Sequence, residues 1–325
     1  MNPFASMAAS RTVENYWARI LFKLRLYEAS GQAFQGLVSD LMHARHQDFL
    51  AVRPSGRSGD GGNDGYVPSQ QWFLQVHGPE AGSKIDPARL VRKAKEDFDK
   101  LRQHYPGIKR YSFVFNDRFR GAPKDLLDAI AALARDTGVP CEGIFSRHLT
   151  DWFMALDDAA RGGIVMGVPA EMPDWIDPRA IGEVLEHLAL NDAGWGDPAK
   201  RFAPDFDEKI RFNGLNGFAA DRLRSMSYQA GSVEAFFQTR DAYLAQAVGQ
   251  ELRQLYAEGL RQVVDDDEDA AAMRFVWMIG RMIPPVAQSN NIALKAYRQA
   301  AEVVLARYFE TCDVYAQPGT GGRAA

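Results

Sequence analysis

The sequence predicts two folds in one chain: an α/β N-terminal domain, with a mixed sheet flanked by helices, and an all-α C-terminal helical domain. Three observations predict this. At 325 residues the chain is long for a single core. Up to about residue 162, period-two strand patterns alternate with helical patterns. Beyond a Gly- and Pro-rich stretch, helical spacing runs nearly unbroken. The expected divisions are residues 1–162, a linker at 163–178, and a helical domain for assembly and partner binding at 179–325.

In order, residues 12–29 show helical spacing, with Tyr16, Ile20, Leu24 and Tyr27 on one side. A second helix is expected over 32–46, its apolar face formed by Phe34, Leu37, Val38, Leu41 and Met42. A short strand at 49–53 ends at Pro54. The segment 56–80, GRSGDGGNDGYVPSQQWFLQVHGPE, then concentrates the chemistry of the chain. Four glycines and two aspartates, Asp60 and Asp64, occupy seven residues of its turn. Glycine lets backbone approach closely, and aspartate offers the hard oxygen that Mg²⁺ prefers.

The strand that follows alternates: Trp72, Leu74 and Val76 on one face, Gln71, Phe73, Gln75 and His77 on the other. One reading is a site; the other is a hydrated hairpin with Asp and Asn in turn roles. Asp86-Pro87 opens a helix to about His104, carrying Leu90, Ala94, Phe98 and Leu101 inward and Lys93, Lys95 and Lys100 largely outward. A strand over 110–116, a helix over 123–137, a strand over 141–145 and a helix over 148–161 complete the domain. Further helices are expected near 179–190, 217–229, 232–247, 248–264, 270–282 and 291–310. The terminal PGTGGRAA is expected to be mobile.

The net charge of −4 divides unevenly. Residues 1–150 hold 21 Lys+Arg against 16 Asp+Glu (+5), and residues 151–325 hold 17 against 26 (−9). Lys84 to Arg110 contains nine basic and four acidic residues, a local signal for an anionic partner. No apolar run approaches the roughly 18 residues of a spanning helix, and MNPFASMAASRTVENYW lacks the pattern of a secretory signal. A cytoplasmic protein without a membrane partner is therefore expected. Cys141 and Cys312 read as free thiols in that compartment. His43 and His46 suit a helix C-terminus better than a metal. Trp175, Trp195 and Trp277 read as packing residues. A phosphate loop of the GxxxxGK[ST] type is absent, and a strand rather than a helix follows the glycines.

Metal-dependent phosphodiester cleavage needs oxygen ligands, a group that orients water, and positive charge for the developing anion. Asp64, the Gln75 amide oxygen and the Val76 carbonyl are candidate ligands for Mg²⁺ or Mn²⁺. His77 is a candidate for positioning water or stabilising charge. Lys84, Lys93, Lys95 and Lys100 are candidates for tracking a phosphate backbone.

These residues match a family. AFQGLV in the first core helix, GDGGNDG at the turn and FLQVH on the strand resemble the Mrr-like branch of the PD-(D/E)XK nuclease superfamily over about residues 12–160. The resemblance implies a restriction-endonuclease-like fold and a DNA endonuclease. It also implies metal binding by Asp64, a Gln-x-Lys strand that here reads Gln75-Val76-His77, and a core-helix residue matched by Gln35. The family's lysine is replaced by His77. Three readings stay open: His77 takes over, Lys84 or Lys93 reaches in, or the site is silent and the fold serves binding or scaffolding. The DGY and QVHGPE version also resembles nuclease-like effectors of ABC-three-component antiphage systems. DEKIRFNGLNG at 207–217 and the run through SVEAFFQTRDAY resemble their helical module. That resemblance implies partnership with an ABC-type ATPase and a small middle component, with self-association through the helical domain a further expectation.

Overall fold

In the computed structural model a five-stranded sheet carries the N-terminal half, its strands ordered β1-β2-β3-β4-β5 as in the sequence. The structure describes residues 3–52, 62–80, 82–169, 176–191, 205–215, 217–238, 240, 242–265, 267–311 and 314–318. Asp60, Trp175, Trp195, Cys312 and nearly all of the terminal PGTGGRAA lie outside the described residues. The chain divides into two compact units: Phe22–Ile164, and Met1–Leu21 together with Val165–Ala325. The expected first domain of 1–162 is corrected at its start, because residues through Leu21 group with the C-terminal helices. Within that second unit Tyr16 and Trp17 pack on Phe218, and Trp17 also meets Phe275.

The sheet is mixed for a reason visible in its connections. β1 (Leu50–Ala51), β2 (Gly65–Val67) and β3 (Trp72–His77) are antiparallel neighbours. The return from β2 to β3 takes only a short 3₁₀ turn at Pro68–Gln70, closed by Gln71 at φ 47°. β4 (Arg110–Phe115) and β5 (Cys141–Ile144) then add in parallel, because a helix crosses over before each. These crossovers are α3 (Pro87–His104) and α4 (Lys124–Thr137). Both cover one face of the sheet, where Phe73, Phe113 and Phe115 join Leu90, Phe98, Leu126 and Ile130 in one core. Asp86 caps α3 by accepting from the Ala88 and Arg89 N–H groups.

On the other face lie α2 (Gly31–Arg45) and α5 (Ser146–Met154). α1 (Pro3–Glu28) precedes them, starting earlier than the expected residue 12. The helix expected over 148–161 is two helices, because Asp157 accepts from the Ala160 N–H and caps a separate α6 (Asp158–Ile164). A polar knot after β4 ties this end of the unit together. The buried Asn116 amide donates to the Leu26 and Ala29 carbonyls, and Arg118 Nε donates to Tyr27 and Nη2 to Pro79.

The second unit is helical in its described C-terminal part: α7 (Pro178–Leu190), α8 (Phe206–Phe212), α9 (Gly217–Ser227), α10 (Gly231–Phe237), α11 (Ala242–Gln262), α12 (Ala270–Met282) and α13 (Asn291–Glu310). α8 was absent from the sequence expectation; Asp205 caps it by accepting from the Glu208 N–H. The expected break at 247/248 falls inside α11, where no capping residue or proline interrupts the pattern. Trp277 is buried, as expected of a packing residue. No helix among the described residues is long and apolar enough to cross a membrane.

Candidate functional site

Within β3, β2 pairs only with Trp72, Phe73 and Leu74, so the last three residues of β3 extend past it. Asp64 closes that open edge. Its backbone N–H donates to the Leu74 carbonyl at 2.9 Å, and its carbonyl accepts from the Val52 N–H at 3.0 Å. Its side chain continues the ladder where the strand stops: Oδ2 accepts from the Val76 N–H at 2.6 Å. Oδ1 accepts from Gln35 Nε2 of α2 at 2.7 Å. Asn63 Oδ1 shapes the turn by accepting from the Gly65 N–H at 2.9 Å, an Asx turn. In an extended strand the N–H and C=O of one residue point to the same edge. The Val76 carbonyl therefore faces the side on which Asp64 lies.

Gln75 turns the other way from Trp72 and Leu74, as the alternation predicts, into the face under α3. It is 4% exposed, and its Oε1 is buried without a hydrogen-bond partner. An acceptor left unpaired in the interior costs about 1–3 kcal/mol, which makes it the most informative atom of the site. His77 shares this face, its ring near Phe113 and Phe115. Burial, and then Lys93, hold its imidazole below the usual range, with Asp97 opposing. The ring is therefore held toward its neutral form.

The neighbouring charges come from α3. Lys93 Nζ is 2.7 Å from Asp97 Oδ2, and Lys100 Nζ is 3.9 Å from Asp97 Oδ1. Asp97 is buried, and the glycine turn packs directly on its backbone: Gly62 has φ +78°, and a Cβ there would collide with the Asp97 carbonyl oxygen. That close approach explains why residue 62 is glycine. The Tyr111 hydroxyl is also buried without a hydrogen-bond partner. Burial pushes it well above the usual phenol range, and Asp97 and Asp64 push in the same direction.

The structure thus joins Gln35, Asp64 and Val76 by direct hydrogen bonds and sets Gln75, His77 and Lys93 on the α3 side of the same strand end. Lys84, Lys95 and Lys100 are exposed. Lys84 lies in the loop before α3. Asp97 and Tyr111 were missed by the sequence reading. The signal for Asp97 was available: an acid between Ala94 and Phe98 on the apolar stripe of α3.

No group of three His, Cys, Asp or Glu side chains placed for a metal occurs among the described residues. The donors present are all oxygens: the Asp64 carboxylate, the Val76 carbonyl and Gln75 Oε1. Such a set suits a small hard cation that keeps several waters, and the unpaired Gln75 oxygen fits one.

The C-terminal helices show what they are related to. Residues 179–316 match C-terminal domain 10 of the ABC-three component (ABC-3C) systems. The match takes in 207–217 and the helices after it, the segments whose pattern suggested that relation. Within the matched segment α9 and α13 are joined by a buried ion pair: Arg222 Nε donates to Glu302 Oε1 at 2.7 Å, and Nη2 to Oε2. Lys209 of α8 is also buried, its Nζ donating to the Phe309 carbonyl at 2.6 Å. No curated protein and no solved structure matches the chain.

Proposed function

We propose that the chain is the effector of an ABC-three-component antiphage system and that its N-terminal unit is a metal-dependent endonuclease acting on DNA. The family match of residues 179–316 supports the system. The observation that carries the activity is Gln75 Oε1, a buried acceptor with no donor, at the strand end closed by Asp64. Asp64, Gln75 Oε1 and the Val76 carbonyl hold Mg²⁺ or Mn²⁺, which when bound supplies Lewis acidity and lowers the pKa of attacking water. Gln35 orients the Asp64 carboxylate through Oδ1. His77, held toward its neutral form, orients water by hydrogen bonding. Lys93, held at Asp97, supplies positive charge for the developing anion. Exposed Lys84, Lys95 and Lys100 track the phosphate backbone. The helical unit makes the contacts to an ABC-type ATPase and a small middle component.

Plasmid incubated with the protein and Mg²⁺ or Mn²⁺ tests this. Gln75→Met removes the amide while filling similar volume. Because it also removes an unpaired buried acceptor, its melting temperature is expected to equal or exceed that of the wild type. Cleavage by the wild type, lost in this fully folded variant, supports the reading. Undiminished cleavage by Gln75→Met removes Gln75 from the site. A second reading, a silent module that binds duplex or scaffolds the complex, is favoured by the lack of a three-ligand group among the described residues. A salt-dependent gel shift with no cleavage under either ion would select it.

A further inference from the structure

The opposite end of β3 carries a second cluster of committed side chains, about 17 Å along the strand from the His77 end. Trp72 opens the strand on the α2 face. Arg110 of β4, its partner in register, lays its guanidinium over the Trp72 ring at 4.0 Å. Trp152 of α5 meets Trp72 edge-on at 6.0 Å, and the Arg45 guanidinium lies over Trp152 at 3.9 Å. His46, the residue that ends α2, meets Trp72 edge-on at 5.4 Å. Two indoles therefore form a frame that gathers three basic side chains.

Negative charge in this frame is already committed. Glu142 Oε1 accepts from Arg110 Nε at 2.7 Å and from Ser112 Oγ at 2.7 Å, with Arg110 Nη2 at 2.6 Å. Ser112 Oγ in turn accepts from Trp72 Nε1 at 2.7 Å. Asp48 is bound to the Ser69 N–H at 2.8 Å. Arg45 forms no ion pair with either acid. Its Nη1 is buried without an acceptor, and the adjacent His46 Nε2 is buried without a partner. The remainder of Arg45 and His46 is partly exposed. Burial, and then Arg110, lower the Arg45 guanidinium. Burial, Arg45 and Arg110 lower His46 against the pull of Asp48. Mutual repulsion among groups held this close is what an added anion relieves.

We propose that Arg45, His46 and Arg110 form a binding site for a phosphate group. The Arg45 fork supplies the unpaired Nη1 donor, and a planar guanidinium matches phosphate oxygens in pairs. His46 supplies Nε2–H, and Arg110, fixed by Glu142 and Trp72, supplies charge without moving. The stacking partners pre-order both guanidiniums, which reduces the entropy lost when the ligand binds.

Titration calorimetry with inorganic phosphate at constant ionic strength, and separately with a dinucleotide bearing a 5′-phosphate, tests the site and its source. The wild type is expected to bind one equivalent saturably. Arg45→Lys keeps the charge and much of the stacking but loses the fork, and His46→Gln is a milder change. Each is expected to weaken binding by at least about tenfold, the value of one charge-assisted hydrogen bond. Binding of the dinucleotide but not of inorganic phosphate, with the same losses in the variants, assigns the phosphate to a nucleic-acid end. No saturable binding of either probe to wild type overturns the proposal, as does equal affinity in wild type and Arg45→Lys. Both variants are expected to keep the wild-type circular dichroism spectrum, so that a loss reports the site.

Discussion

Asp64 does two things that a mutation cannot separate without care. Its carboxylate is the proposed metal ligand, and it also satisfies the Val76 N–H and the Gln35 amide. Replacing it with alanine orphans both donors in a part of the unit where Asp64 is only 8% exposed. Asp64→Ala is therefore expected to lose about 2–4 kcal/mol of stability as well as activity, measured by urea denaturation. A loss below about 0.5 kcal/mol would mean that water replaces the carboxylate and that the strand edge is open. Gln75 is the cleaner probe because its Oε1 has no partner to abandon. Asp64 and Gln75 were legible as candidates, since a glycine turn and a polar alternation stand out in a string of letters. Asp97 and Tyr111 were not, because their significance comes from α3 lying over the strand. The Arg45 cluster was invisible for the same reason: four elements contribute to it, and only Arg45 and His46 are neighbours in the sequence.

At the scale of elements, the two faces of β3 were readable from period two, and the helix crossovers follow from the spacing between strands. Two of the errors lie where a local cap outweighed periodicity. Asp157 starts α6 within an expected single helix, and Asp205 starts a helix where none was expected. The pairing of α9 with α13 could not be read at all, because Arg222 and Glu302 are 80 residues apart. Both are nearly fully buried. Burial pushes the Glu302 carboxyl up, and Arg222 pulls it back down. Removing one partner strands the other charge. Glu302→Ala is expected to cost about 3–5 kcal/mol, while the Arg222→Met/Glu302→Leu double variant regains most of it. Thermal unfolding of the three proteins measures this. Equal losses in the single and double variants would mean that the hydrogen-bond geometry, rather than the unpaired charge, sets the stability.

For the whole molecule, the sequence already separates a first 150 residues at +5 from a remainder at −9, and the structure adds where the basic excess is free to act. Lys93 is paired with Asp97 and Arg110 with Glu142, so both act at short range on a group they touch rather than in the long-range attraction of DNA. Lys84, Lys95 and Lys100 are exposed, and they are the residues through which the proposed nuclease unit would displace counterions from DNA. Each phosphate neutralised contributes about −0.9 to the slope of log affinity against log salt concentration. Substituting the three lysines with glutamine is expected to flatten that slope by about 2–3 and to weaken binding alike on unrelated duplexes. Fluorescence anisotropy across a salt series reads both effects. A slope unchanged in the triple lysine variant would move the nucleic-acid contact off α3, and with it the orientation in which a duplex could reach Asp64 and Gln75.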